Sequence, residues 1–153
     1  MTDIVTPEVR SRIMAGIKGS NTRPEMVVRK GLHARGFRYR LNDRKLPGRP
    51  DLVLSKYNAV IFVNGCFWHG HECHLFKWPK TRAKFWQKKI SRNVERDSEN
   101  LESLALSGWR VGIVWECAIR GKMRRNPVEV IDRLSAWLMT GEKRLSLCGY
   151  RSR

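Results

Sequence analysis

Long apolar runs are missing from this chain. Nowhere do its 153 residues approach the roughly 18 uninterrupted apolar positions that a membrane helix needs. The opening "MTDIVTPEVRSRIM" carries charges where a signal peptide requires an apolar stretch, which predicts a protein that stays in the cytoplasm. Cysteine is sparse, with four residues in all. In a reducing compartment such thiols are better suited to binding metal or remaining free than to forming disulfides. Internal repeats, low-complexity tracts and long linkers are also lacking, so one domain is expected.

Acidic side chains are scarce too. Asp and Glu number 14 against 31 Lys and Arg, a formal net charge of +17. A protein this basic accumulates on polyanions, because every phosphate it neutralises releases counterions. An anionic membrane is the competing partner, but no strongly apolar helix face accompanies the charge, so nucleic acid is favoured. Hydrophobic residues make up 41% of the chain, enough for a globular core at this length.

What is present reads as alternating helices and short strands. "TPEVRSRIMAG" predicts a first helix with Thr6 as cap and Pro7 in the first turn. "TRPEMVVRKGLHARG" predicts a second, closed by Gly36, with Thr22 and Glu25 at capping-box spacing. Extended runs follow at "FRYRL", "DLVLS" and "AVIFV", the last two joined by a "KYN" turn. "LPGRP" is a rigid loop that delivers Asp51 to the start of a strand. A long charged helix spans "TRAKFWQKKISRNVERDSENLESLALSG", with Phe85, Ile90, Val94, Leu101 and Leu104 marking an imperfect buried side. "WRVGIVWEC" is apolar enough for a central strand, and "PVEVIDRLSAWLM" is a last helix started by Pro127. The expected fold is a single α/β domain over residues 1–140, a small mixed sheet flanked by helices, with 141–153 as a loose basic tail.

Chemistry concentrates in "VNGCFWHGHECH", Val63 to His74, where five residues are Cys or His. Cys66 and Cys73, with Cys117 at the end of a distant strand and one histidine, would close a tetrahedral zinc site and staple the loop to the sheet. Spacing leaves His69, His71 and His74 open as the fourth ligand; the competing reading is reduced cysteines packed as small hydrophobes. Asp51 stands on one strand beside the exit of its neighbour, which ends at Val63, ahead of Asn64 and the Cys/His loop. Such a carboxylate is suited to Mg²⁺, whose remaining oxygen ligands a phosphate ester can supply. Glu25 and Asp97 are further acids within reach, although Asp51 also fits a plain strand start and Glu25 a plain capping box. If zinc takes His71, then His69 is free to accept a proton from an attacking water.

Six aromatics, Phe67, Trp68, Phe76, Trp78, Phe85 and Trp86, interleave with Lys77, Lys80, Lys84, Lys88 and Lys89. Rings on a basic surface suit stacking on bases or wedging between base pairs. A wedge costs least where pairing is already weak, at a mismatch.

Taken in order, "LPGRPD", "VIFVNGCFWHGHEC", "NVERD" and "GWRVGIVWEC" resemble the very short patch repair (Vsr) mismatch endonucleases, from about Arg10 to Arg120. The resemblance implies a restriction-endonuclease-like fold related to the PD-(D/E)xK nucleases. It also implies a strand nick 5′ to the thymine of a T:G mismatch, the lesion left when 5-methylcytosine deaminates. By the same resemblance Asp51 and the Val63 carbonyl hold catalytic Mg²⁺, His69 is the general base, and Glu25 and Asp97 support them. Cys66, His71, Cys73 and Cys117 match the zinc ligands. Phe67, Trp68 and Trp86 match a wedge entering the DNA, with Met14 pressing from the opposite groove. Duplex DNA with a T:G mismatch is the implied partner, mismatch-repair proteins are further ones, and a monomer is expected. The chain departs from the family at Asn64 and Gly70, where relatives often carry histidine, and at Val63, where Thr is frequent. The rival expectations are a related nuclease of different specificity and a non-catalytic zinc-stapled DNA-binding module.

Overall fold

The computed structural model describes residues 22–150. The helix expected over 6–16 and Met14 lie outside the described residues. Helix α1 (Arg23–Ala34) begins where the Thr22 Oγ1 accepts the Glu25 N–H at 3.3 Å, with Pro24 in the first turn. There follow β1 (Arg40–Leu41), β2 (Leu52–Leu54), β3 (Ala59–Asn64), α2 (Ala83–Leu106), β4 (Arg110–Trp115), α3 (Pro127–Met139) and β5 (Arg144–Leu147).

The five strands lie in the order β1-β2-β3-β4-β5, antiparallel through β3 and parallel from β3 to β5. This mixed pairing follows from the connections. A single 3₁₀ turn at Ser55–Tyr57, closed by Asn58 at φ 50°, joins β2 to β3 as a hairpin. Helices α2 and α3 carry the chain back between the parallel neighbours, which a tight turn cannot do.

Side-chain alternation divides the core in two. Leu52, Leu54, Ala59, Ile61, Val114 and Leu147 pack with Val28 and Leu32 of α1 and Val130, Leu134 and Trp137 of α3. Val53, Val60 and Val111 face the other way, onto Leu104, with Phe62, Leu101 and Ile113 partly buried beside them. Gly112 belongs to the first face, where a Cβ would come within 3.0 Å of the Trp137 ring. The absent side chain is what lets α3 lie flat on β4.

Three expectations are corrected. Within "FRYRL" only Arg40 and Leu41 pair with β2, while Phe37 packs into the core with its ring 5.5 Å from Tyr57. The C-terminal segment is not loose throughout: residues 144–147 form β5, where Leu147 is buried and Leu145 packs beside it. Two alternating leucines are too short a signal to read as a strand until β4 offers them an edge. On α2, Phe85 and Val94 are exposed rather than buried. The inward stripe runs instead through Trp86, Ile90, Asn93, Asp97, Leu101 and Leu104 at helical spacing. It is apolar at both ends and polar in the middle, because its middle faces the site.

Candidate active site

Loop 48–51, the ends of β2 and β3, the loop after Asn64 and the middle of α2 surround a groove of about 1270 Å³. Asp51 stands at its base. One step beyond the Leu52–Ile61 pair, its Oδ2 accepts the Val63 N–H at 2.6 Å. That bond fixes the carboxylate at the exit of β3. Burial pushes the Asp51 carboxyl up to about 6; the Val63 N–H, His69 and Arg49 act against this, and the neighbouring Glu25 charge adds to it. Glu25 is buried in the first turn of α1, its Oε1 3.7 Å from Arg29. Two acids in one desolvated place can be balanced by a proton or by a cation, and carboxylate oxygens are donors that suit a hard divalent ion.

His69 lines the same groove. Its Nδ1 lies 2.5 Å from Oδ2 of Asp97, at the middle of the α2 stripe. The contact spans 28 positions of sequence and depends on how the loop is held. Asn93, one turn before Asp97, donates from Nδ2 to the Trp68 carbonyl at 2.9 Å. The Cys66 N–H donates to Glu116 Oε1 at 3.2 Å, and Arg120 holds that carboxylate at 2.6 Å. Gly70, at φ 63°, fits beneath α2, where a Cβ would lie 3.0 Å from Ile90 and Val94. A histidine at this position would meet both the strained backbone and those side chains.

The second centre lies behind the loop. Cys66, His71, Cys73 and Cys117 bring their ligand atoms within 4.8 Å of one another, a cluster that could hold a metal ion. Cys66 and Cys117 are buried, and burial is the main force raising both thiols above their ordinary range. Backbone N–H groups already face the sulfurs: Cys117 to Cys66 at 3.4 Å, Leu75 to Cys73 at 3.3 Å, and Gly149 to Cys117 at 3.2 Å. The His71 ring stacks on Trp115, 4.1 Å between centroids and 8° from parallel. Three thiols and an oriented imidazole fit a soft or borderline ion in tetrahedral coordination. His69 is engaged with Asp97, and His74 lies outside the cluster, packed where a Cβ on Gly121 would sit.

Phe67, Trp68 and Trp86 form one mutually edge-packed group, with centroids 5.2–5.8 Å apart. All three are half-buried, and Phe67 and Trp68 line the groove. Phe76 packs on Phe67, and Trp78 on Phe76. Asn64 is buried on the groove wall. Sequence reasoning passed over Asn93, Trp115 and Glu116, which hold the loop and the imidazole. The available signal was the four-residue spacing of Asn93 and Asp97 on one helix face.

Fold and site together define a class: a single-domain α/β protein of restriction-endonuclease-like architecture, with a Cys/His cluster beside an acidic groove. The model of the family "DNA mismatch endonuclease Vsr" matches residues 2–75. The chain is 44% identical over 138 residues to the DNA mismatch endonuclease Vsr of Escherichia coli K12, covering 90% of itself and 88% of that protein. It is 48% identical over 122 residues to the type II nicking enzyme V.NmeAIP of Neisseria meningitidis serogroup A, covering 80% and 87%. Against the type II nicking enzyme V.XorIIP of Xanthomonas oryzae pv. oryzae the identity is 46% over 119 residues, covering 78% and 88%. The chain therefore belongs to the Vsr family of DNA mismatch endonucleases.

Proposed function

We propose that this protein is a Mg²⁺-dependent, zinc-stapled endonuclease that nicks the thymine-bearing strand of a T:G mismatch, just 5′ to the thymine. The observation that carries the reading is the His69–Asp97 pair at 2.5 Å on the wall of the groove that has Asp51 at its base. A held imidazole and a half-buried carboxylate in one cleft suit the hydrolysis of a phosphodiester by water. With Asp97 ionised, the proton of His69 resides on Nδ1 and Nε2 keeps a lone pair. His69 then takes a proton from the attacking water, and Asp97 balances the imidazolium that results. Asp51, with the Val63 carbonyl, would hold Mg²⁺, which supplies charge stabilisation at the scissile phosphate when bound. Glu25 supports the Asp51 side, and Cys66, His71, Cys73 and Cys117 would hold Zn²⁺ as a structural ion. Phe67, Trp68 and Trp86 enter the duplex beside the mismatch, where unstacking costs least. The net charge of +17 provides sequence-independent affinity for duplex DNA. The working form is a cytoplasmic monomer on DNA, and mismatch-repair proteins are its natural collaborators.

The test is a nicking assay on a T:G and a T:A duplex, labelled on both strands, with and without Mg²⁺. A Mg²⁺-dependent cut 5′ to the mismatched thymine, absent from T:A, is the expected outcome. Equal cutting of both duplexes removes mismatch specificity and leaves the nuclease. A second reading, nicking at another mismatch or flanking sequence, has its own support. Relatives at 48% and 46% identity bear the name type II nicking enzyme, so the assay includes a panel of mismatches and flanks.

A further inference from the structure

Next to the groove lies a second, smaller cavity of about 510 Å³. The two share Gly48, Arg49 and the His69–Asp97 wall, but Arg44, Arg96 and Asn100 line only the smaller one. Its charge is one-sided: three guanidinium groups border it, and its single carboxylate, Asp97, is already engaged by His69. Arg35, Arg120 and Arg125, by contrast, are each matched with an acid, Asp132, Glu116 and Glu129 respectively. Asp43, beside Arg44 in sequence, is taken by Arg40 at 3.3 Å. Among the described residues Arg44 and Arg96 make neither an ion pair nor a side-chain hydrogen bond. They approach from separate elements, the loop before Asp51 and the α2 turn that carries Asp97. That loop is pressed on the helix: a Cβ on Gly48, at φ 76°, would lie 3.2 Å from Asn100.

We propose that this cavity is a second phosphodiester subsite, in which Arg44 and Arg96, with Arg49, grip a backbone phosphate next to the scissile one on the nicked strand. The proposal rests on the nuclease reading for its register and adds positioning residues to it. Planar guanidinium forks are matched to phosphate oxygens. A strand whose reacting phosphate sits beside Asp51 and His69 continues past the shared wall into this pocket. Gripping the neighbouring phosphate fixes the angle at which the reacting one meets His69, so these residues act through position rather than by touching the reacting atoms.

The experiment uses the full chain with Arg44→Ala and Arg96→Ala, singly and together. Both side chains are exposed, so melting temperature and metal content should not change. In Mg²⁺-free binding to duplex, the double variant should bind roughly tenfold more weakly, and its log K against log salt slope should be shallower by about one. On the T:G duplex, methylphosphonates are placed singly at the phosphates flanking the nick. One position should weaken wild type by about tenfold and the double variant hardly at all. An unchanged salt slope, or the same methylphosphonate penalties in both proteins, overturns the subsite. The slope needs no mismatch register, so it reads the cavity even if wild type fails to nick T:G. Failure to nick with the slope change intact removes the mismatch reading alone.

Discussion

Two centres share one loop and differ in nearly every physical respect. The Cys/His cluster faces inward: two of its cysteines are buried, each sulfur already meets a backbone N–H, and its histidine is clamped on Trp115. The acidic groove faces outward: Asp51, His69 and Asp97 are each only half-buried and border space that a substrate can fill. The closed centre satisfies its polar groups internally, as a structural site does, while the open one keeps valence for a ligand. Because residues 66–73 serve both, rigidity made in the first is delivered to His69 in the second.

The largest expected effect comes from breaking the closed centre. Cys117→Ser should release the bound metal and cost several kcal/mol of stability, since binding free energy at such sites is folding free energy. Zinc content and thermal unfolding check this, and an unchanged melting temperature would return the four residues to ordinary packing. Breaking the open centre should leave the fold standing. His69→Ala is expected to lower nicking by about 10²–10⁴-fold with zinc content and mismatch binding retained. Asp97→Asn should give a smaller loss and an altered pH profile, because an amide orients the imidazole but cannot stabilise its charged form. Loss of DNA binding in step with nicking would make the pair structural.

The aromatic group stands between the two centres. Trp68 touches Phe67 and Trp86 inside the group and lines the groove on its other side. Trp68→Ala should reduce the preference for mismatched over paired duplex by about 1–3 kcal/mol and leave nicking of what is bound nearly intact. A preference ratio that does not move, measured by competition binding, would assign the ring to packing alone.

The closed centre was the more legible of the two in sequence. Two cysteines share one short loop with three histidines, a density of soft donors that suggests metal ligation, so Cys66, Cys73 and Cys117 declare themselves without a fold. Their histidine did not, because which imidazole reaches the cluster depends on Trp115, a partner 44 residues away from His71 in the chain. In the open centre each residue has an ordinary alternative: Asp51 a strand start, Glu25 a capping position, Asp97 a solvated helix charge. Only α2, crossing one face of the sheet, and α1, packed on the other, bring them together around Asp51. The same crossing spoiled the hydrophobic stripe of α2, since Asn93 and Asp97 occupy inward positions that periodicity assigns to apolar side chains. The parallel strand β5 was missed for a related reason. Its partner lies across an intervening helix, and two leucines are all the local signal it has.

Burying a carboxylate in the open centre has a cost that the closed centre avoids, and pH exposes it. The Asp51 carboxyl stands near 6 in the fold against an ordinary value of 3.8, chiefly because burial disfavours its charge. A raised folded-state value means that the native chain holds this proton more tightly than the unfolded chain. The associated stability is therefore fully present below 3.8 and is lost as pH rises through about 6. The full loss is at most about 3 kcal/mol, and partial hydration of the groove brings it to about 1–3 kcal/mol. Asp51→Asn keeps an oxygen for the Val63 N–H and removes the charge. In Mg²⁺-free buffer at pH 7.5 it should be the more stable protein by that amount, and the gap should roughly halve by pH 5. Both proteins carry the same Cys/His cluster, so its own titration cancels in the difference. Added Mg²⁺ should raise the melting temperature of wild type and not of the variant, narrowing the gap from the other side. A gap that is constant with pH and indifferent to Mg²⁺ would mean that the Asp51 charge is already balanced within the protein and that no cation is needed there.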